Sequence, residues 1–276
     1  MNKTAILLTC FNRKDKTLAC LKSLFEINNK LDVYLVDDGS TDGTAKAIES
    51  TFPNVKIIKG SAELFWNRGM HLAWENARKA NYDFYIWLND DVELYPDALN
   101  ELFSCSEQCN NEVIISGIIE NKERTLTIYG GSDVSKKIIL ANGQLNPITN
   151  MNGNVVLVSK FVFNELGNLD PVFHHDLGDV DYGLRAKKKG INVFTTRKAI
   201  AIGEANSISR MRLNSTTVSK RFKRLYSPIG SNPFINFHFR KRHRNVLKAA
   251  VFFIFQHILN IIPDKLNSAI FNNRYT

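Results

Sequence analysis

The stretch Asp83-Phe84-Tyr85-Ile86-Trp87-Leu88-Asn89-Asp90-Asp91-Val92-Glu93 constrains this chain most. Its first half is an almost unbroken apolar and aromatic run, the pattern of a strand buried on both faces in a parallel sheet. Its second half sets two adjacent acids where that strand must end. In an open α/β sheet, ligands collect at the carboxyl ends of the strands. Hard carboxylate oxygens there suit Mg2+ or Mn2+, which can bridge to a diphosphate. Taken alone, the same residues also fit a strand followed by an acidic turn.

The chain before this stretch has the same construction. Thr4–Thr9 is a short apolar strand leading into the polar loop Thr9-Cys10-Phe11-Asn12-Arg13. Leu18, Leu21, Leu24 and Phe25 then fall at helical spacing between Lys14 and Asn28. Val33–Val36 is a second strand, ending in Asp37-Asp38-Gly39-Ser40-Thr41-Asp42-Gly43-Thr44. Gly39 allows a tight turn, and Ser40 or Thr41 can cap a following helix. Val55–Ile58 is a third strand, and Asn67–Ala80 a helix with Met70, Ala73, Trp74 and Ala77 on one face. Strand and helix alternate about every 25 residues, which predicts a mainly parallel α/β sheet with helices on both faces. Neighbouring parallel strands would bring Asp37-Asp38 and Asp90-Asp91 to one sheet edge. The first pair could accept from a base N–H or a ribose hydroxyl, and the second could hold a metal and a diphosphate. No G-x-G-x-x-G follows the first strand and no G-x-x-x-x-G-K-[ST] occurs, which disfavours dinucleotide and P-loop folds.

The second half continues with a helix over Asp97–Gln108 and a buried strand over Val113–Ile119. Short β-like pieces follow at Leu126–Ile128 and Ile138–Leu140, then a strand over Met151–Val158 and a helix over Ser159–Leu166. In Gly178-Asp179-Val180-Asp181-Tyr182-Gly183-Leu184-Arg185, Asp181 and Arg185 are at i, i+4, a spacing that favours an ion pair. Asp179 points elsewhere, near a helix N-terminus where a carboxylate is electrostatically favoured. A carboxylate at such a place can act as a general base, and Asp179 is the candidate. The competing reading is a helix cap. His175 could orient Asp179 or touch a substrate, and Trp66, Trp87 and Tyr182 could each offer a face to a ligand ring or belong to the core. Lys187-Lys188-Lys189 fits a solvated helix face. Ile191–Thr195 and Ala199–Ile202 are the last strands expected.

At 276 residues and 44% hydrophobic composition, the chain suffices for one large domain with an extension. No basic-then-apolar leader is visible at Met1, and a cytoplasmic location is expected. The four cysteines are too few for a disulfide scaffold, and Cys105 and Cys109, four apart, have no second Cys/His pair at ligand spacing, which disfavours zinc. Of the 36 Lys and Arg, eleven lie between Ala205 and Pro263, where there is no Asp or Glu. The expected organisation is a catalytic domain over 1–209 and a basic extension over 210–276. Val246–Ile262 is mostly apolar, short for a membrane span and interrupted by Lys248, Gln256, His257 and Asn260. It fits a helix in the membrane interface, with the basic residues facing anionic headgroups on the inner face of the plasma membrane. Packing on protein is the alternative. No nucleic-acid-binding module is recognisable, so nucleic acid is not expected as a partner.

Four stretches together resemble the family 2 glycosyltransferases of GT-A fold: Thr9-Cys10-Phe11-Asn12-Arg13, Val36-Asp37-Asp38-Gly39-Ser40-Thr41-Asp42, Asn67-Arg68-Gly69-Met70 and Leu88-Asn89-Asp90-Asp91. The resemblance covers about residues 3 to 205. It implies an inverting transferase acting on a nucleotide-sugar donor and a glycan or lipid-linked acceptor, as in bacterial surface polysaccharide assembly. It implies nucleotide contacts from Thr9, Phe11, Arg13, Asp38, Asn67 and Asp90. Asp91 would be the principal ligand of Mn2+ or Mg2+, with Asn89 and Glu204 as further candidates. Asn89 stands where many members have the first acid of a D-x-D motif, and Gly203-Glu204 where many have a metal-binding His. Asp179 matches the second acid of the family's catalytic pair, while Gly178 replaces the first. His175, Asp181, Arg185 and Trp66 are the acceptor-side candidates. Two other classes remain open on sequence: a transferase-like binding protein without turnover, and a sugar nucleotidyltransferase, for which Thr9–Arg13 lacks a basic, glycine-rich loop.

Overall fold

The computed structural model describes residues 3–205, 211–272 and 275. These residues form two compact units. One holds the residues up to Pro171 together with Gly178–Ala205, and the other holds Val172–Leu177 together with the described residues from 211 on. The boundary expected between Ser209 and Arg210 lies outside the described residues.

The first unit is built on one sheet. Its strands are β1 (Thr4–Cys10), β2 (Asp32–Asp37), β3 (Lys56–Lys59), β4 (Phe84–Leu88), β5 (Glu93–Leu94), β6 (Ile114–Asn121) and β7 (Thr127–Tyr129). Next come β8 (Gly131–Ser132) and β9 (Asn150–Met151), which pair with each other, and then β10 (Val155–Ser159) and β11 (Val193–Gly203). The spatial order is β3-β2-β1-β4-β10-β6-β11-β5, with β7 beside β6. The strands β3, β2, β1 and β4 run parallel, as does β11 with β6. Strand β10 runs antiparallel between β4 and β6. A parallel neighbour needs a long crossover, usually helical. The segment from β6 to β10 contains no helix, so β10 enters the sheet from the opposite end.

Two expected features change. One strand, β11, runs through the two expected at 191–195 and 199–202, with register shifts between Thr195, Ala199 and Ala201. Thr196 fills the break: its Oγ1 accepts from the Ile118 N–H at 2.9 Å and donates to the Lys198 carbonyl at 2.8 Å. The piece expected at Ile138–Leu140 reduces to a single bridge between Ser132 and Ile138.

Helices α1 (Lys14–Ile27), α2 (Thr44–Thr51), α3 (Phe65–Ala77), α4 (Ala98–Glu107), α5 (Lys160–Leu166) and α6 (Gly178–Lys188) flank the sheet. Side chains alternate across the strands. Ile6, Leu8, Ile86 and Leu88 join Leu21, Leu24 and Leu102 in one core. Ala5, Leu7, Tyr85 and Trp87 join Met70, Ala73 and Trp74 of α3 in the other. Trp87 and Tyr182 are wholly buried in that second layer, which removes them as faces for a sugar.

The second unit carries α7 (Val218–Leu225), α8 (Pro233–His243), α9 (Val246–Ile261) and α10 (Asp264–Phe271). No described helix is long and apolar enough to cross a membrane. Arg212 and Arg221, two of the basic residues expected to face headgroups, are instead buried. Arg212 donates to the Leu259 and Ile262 carbonyls, and Arg221 donates to Ile262 at 2.9 Å. Both also pair with Asp264. They close the C-terminus of α9, where unpaired carbonyls and the helix dipole favour cations.

Glu101 of α4 braces β11. It is buried, and it accepts from the Arg197 backbone N–H at 2.9 Å and from the guanidinium at 3.0 and 2.8 Å. Burial would raise its carboxyl, but hydrogen bonds from Arg197 and Cys105 and the charge of Arg197 bring it down to about 2. A depressed carboxylate stabilises the fold above its unfolded value and loses that contribution as pH falls. Glu101→Gln should therefore cost up to about 3 kcal/mol near neutral pH, with the difference from wild type shrinking between about pH 4.5 and pH 2. Urea denaturation of both proteins across that range checks this.

Candidate active site

Strands β1, β2 and β4 lie side by side and parallel, so their carboxyl ends share one edge. Cys10 pairs in register with Asp37, and Leu7 with Trp87. The reversed β10 starts at the same edge, with Val155 opposite Leu88. The loops after β1, β2 and β4 and the turn before β10 therefore converge.

The two acids after β4 are held by one cation. Arg13 Nη1 lies 3.1 Å from Asp90 Oδ1 and 2.8 Å from Asp91 Oδ2. Asp90 is buried, and its Oδ2 has no hydrogen-bond partner among the described residues. Burial, with the neighbouring charge of Asp91, pushes its carboxyl up to about 6 against the pull of Arg13. The loops after β1 and β2 are tied together above this pair. Asn12 accepts from the Thr41 N–H at 2.7 Å, and its own N–H donates to Ser40 Oγ at 2.9 Å. Phe11 is half exposed in the same loop, and partly buried Thr9 lies against Gly69 of α3.

Asp38 spends one oxygen on structure. Its Oδ2 accepts from the Leu64 and Phe65 N–H groups at 2.9 and 3.0 Å, where α3 begins. Phe65 there has φ 58°, a left-handed conformation that a bulky side chain rarely adopts. The other oxygen, Oδ1, is buried with no hydrogen-bond partner among the described residues and can accept from a ligand N–H or O–H.

The first turn of α3 connects to the catalytic candidate. Trp66 Nε1 donates to Asn89 Oδ1 at 2.6 Å, and Asn89 Nδ2 donates to Asn154 Oδ1. The Asn89 backbone N–H donates to the Asn154 carbonyl at 2.8 Å. Asn154 in turn donates to Asn152. The residue between them, Gly153, donates its N–H to Asp179 Oδ2 at 2.9 Å, while the Val180 N–H donates to Asp179 Oδ1 at 2.8 Å. Burial raises the Asp179 carboxyl, and these two N–H groups offset part of the rise. A Cβ on Gly153 would lie 2.5 Å from the Trp66 ring, and a Cβ on Gly178 would lie 1.7 Å from Asn67 Oδ1. Beside Asn67, position 178 has no room for a side chain. The 152–154 turn was not foreseen as part of the site; its signal in the sequence was the Asn-Gly-Asn turn before a strand.

The remaining candidates are placed as follows. Asp181 is fully buried and pairs with Arg185 at 2.9 Å; Arg185 also donates to the Leu166 and Asn168 carbonyls at 2.7 and 3.0 Å. The pair has the geometry of a brace between α6 and the end of α5. His175 belongs to the second unit, where it lines a small pocket with Pro228, Ser231 and Asn236. Glu204 lies between Lys16 and Lys122 at 2.6 and 2.9 Å, and their hydrogen bonds and charges hold its carboxyl down to about 2. Among the described residues no group of three or more His, Cys, Asp and Glu gathers to hold a metal. Asn89 is committed at both side-chain atoms. Asp91 and Asp90 offer hard oxygens, one of them buried and unpartnered, which fits an ion such as Mg2+ that takes one or two carboxylates and completes its shell with phosphate and water.

The model of the family described as glycosyl transferase family 2 matches residues 5–167. An N-acetylglucosaminyl-diphospho-decaprenol L-rhamnosyltransferase of Mycobacterium tuberculosis is 24% identical over 213 residues, 65% of this chain and 69% of the relative. The structure of TarS of S. aureus is similar with a TM-score of 0.59 at 9% identity, covering 98% of this chain; this chain spans only 45% of TarS. The mannosyltransferase PcManGT of Pyrobaculum calidifontis, solved with GDP-Man and Mn2+, gives a TM-score of 0.57 at 16% identity over 98% of this chain and 76% of that one. At these identities the structural likeness establishes the fold.

Asp90 penalises folding at neutral pH, because its folded value near 6 lies above that of an exposed carboxylate. The penalty is full above about pH 6 and is relieved as pH falls towards the unfolded value near 4. Asp90→Asn should stabilise the protein at pH 7.5 by up to about 3 kcal/mol, with the gain gone near pH 4. Chemical denaturation at both pH values measures it.

Proposed function

The chain belongs to glycosyl transferase family 2 and has the GT-A fold, and from that premise we propose that it is an inverting transferase acting on a nucleotide-diphosphate sugar. The donor class is a UDP- or dTDP-hexose or -rhamnose, and the acceptor is a hydroxyl of a glycan or lipid-linked oligosaccharide in bacterial surface polysaccharide synthesis. The carrying observation is the 152–154 turn, which joins the Asp179 carboxylate to Asn89, next to the Asp90-Asp91 pair. A proton acceptor and a set of phosphate- or metal-binding acids thus share one hydrogen-bonded frame. The rhamnosyltransferase relative, whose name specifies a diphospho-decaprenol acceptor, supports the lipid-linked reading.

In this reading Asp38 Oδ1 accepts from the nucleoside, and Arg13 faces the diphosphate. Asp91, with Asp90, would hold Mn2+ or Mg2+, which supplies positive charge against the leaving diphosphate. Asp179 takes the proton from the acceptor hydroxyl as its oxygen bonds to the anomeric carbon and the bond to the diphosphate oxygen breaks. The nucleoside diphosphate leaves from the opposite face, inverting the centre. A carboxylate raised by burial is a stronger base than an exposed one, as general-base catalysis near neutral pH requires. The proposed location is the cytoplasmic face of the plasma membrane, where lipid-linked acceptors would be in reach.

Asp179→Asn should lower kcat by roughly a hundredfold to ten-thousandfold while leaving donor affinity nearly intact. Surviving activity would place the base elsewhere. Donor binding is read by thermal shift with UDP-, GDP-, TDP- and CMP-sugars, each with Mn2+, Mg2+ or chelator, because ligands stabilise the native state by mass action. The expected result is a metal-dependent rise with one nucleotide class, lost in Asp91→Ala. A rise that ignores metal would remove Asp91 and Asp90 from metal binding, and donor binding without transfer to any acceptor would favour a binding protein.

A further inference from the structure

One helix of the second unit, α9, turns an apolar stripe to solvent and polar side chains inward. Along α9, Leu247, Val251, Ile254, Ile258 and Ile261 are each more than half exposed. At about 100° per residue they form one stripe within roughly 80° of the helix circumference. The face turned inward carries Gln256 and Asn260, both fully buried, beside Ala249 and Leu259. Gln256 donates to the Ser231 carbonyl at 2.6 Å, and Asn260 to the Met211 carbonyl at 3.1 Å. The five side chains of the stripe are therefore not among those that hold this unit together, which on α9 include Ala249, Leu259 and Phe253. Leu266 and Ile270 of α10 and Phe234 of α8 are exposed as well.

The charges of this unit select what would cover such a face. Lys220, Lys223, Lys241, Arg244, Lys248 and Lys265 are all exposed. Between residues 211 and 272 the sequence holds a single acid, Asp264, and it is bound by Arg212, Arg221 and the Ser215 N–H. A surface that combines an apolar stripe with cations, and whose one acid between 211 and 272 is already paired, complements an anionic bilayer, where acyl chains take the stripe and headgroups take the lysines and arginines. A second copy of the chain would bring the same positive charges together.

We propose that the α9 stripe lies in the plane of an anionic phospholipid bilayer, with Lys241, Arg244 and Lys248 at its N-terminal end contacting headgroups. This deepens the lipid-linked-acceptor reading and rests on it for its biological sense, but it is tested without donor, acceptor or turnover, so either can fail alone. The test is flotation of the full-length protein with phosphatidylcholine vesicles, with and without phosphatidylglycerol. Binding should require the anionic lipid and weaken as salt rises. The exposed triple variant Val251→Asn, Ile254→Asn, Ile258→Asn should reduce binding at least about tenfold, and so should Lys241→Gln, Arg244→Gln, Lys248→Gln. Circular dichroism and donor thermal shift should be unchanged in both, since every substituted side chain points to solvent. No binding to either vesicle overturns the proposal, as does equal binding by the Asn variant. Sedimentation that shows a wild-type dimer dissociated by the Asn variant, with no vesicle binding, would assign the stripe to a second copy instead.

Discussion

Two carboxylates adjacent in sequence at the end of a buried strand repel each other and lose hydration, and the first unit is arranged around that cost. Arg13 reaches across from the loop after β1 to touch both Asp90 and Asp91. It can do so because β1 and β4 are parallel neighbours whose loops leave the sheet on the same side. The compensation is incomplete: burial and the Asp91 charge outweigh Arg13, and Asp90 stays well above an ordinary carboxylate. A site proposed to receive a diphosphate and a cation would have reason to keep its own charges only partly neutralised.

Asn89 gains its sense from the same frame. A D-x-D acid at this position would set a carboxylate against Asn154 Oδ1, two acceptors facing each other. The amide instead accepts from Trp66 and donates to Asn154, bridging the first turn of α3 to the turn that holds Asp179. The amide at this position makes a link between the acid pair and the proposed base. Gly178 is a second departure, at a position where Asn67 leaves no room for a side chain.

The alternation of apolar runs with amphipathic helices made the parallel half of the sheet legible, because a strand buried on both faces must be apolar throughout. The acid pairs were legible for the same reason: Asp37 and Asp90 interrupt such runs abruptly. The reversal of β10 was not, since Val155–Ser159 is as apolar as any parallel strand and its direction depends on what precedes it in space. The partners of Glu204 were equally hidden, as Lys16 and Lys122 are far from it in sequence. The apolar run identified the helix at Val246, but not which of its faces would turn inward. Net charge counted Arg212 and Arg221 as surface, whereas the carbonyls ending α9 drew both into the interior.

That last misplacement bears on what the second unit is built to do. Burying Gln256, Asn260, Arg212 and Arg221 costs desolvation that only satisfied hydrogen bonds can offset. A sequence selected for stability alone would have turned Leu247, Val251, Ile254 and Ile258 inward, where each could contribute about 1.5–3 kcal/mol. Exposed, the four side chains contribute none of that to the unit, and the proposed bilayer contact would bury them. Glu101 and Asp90 divide the first unit in the same way: one carboxylate is driven far below its ordinary value to hold α4 on β11, and the other is held above it at the edge where ligand would bind. In both units side chains that stabilise little, Asp90 in one and the α9 stripe in the other, are those the proposed ligand and the proposed bilayer would complete.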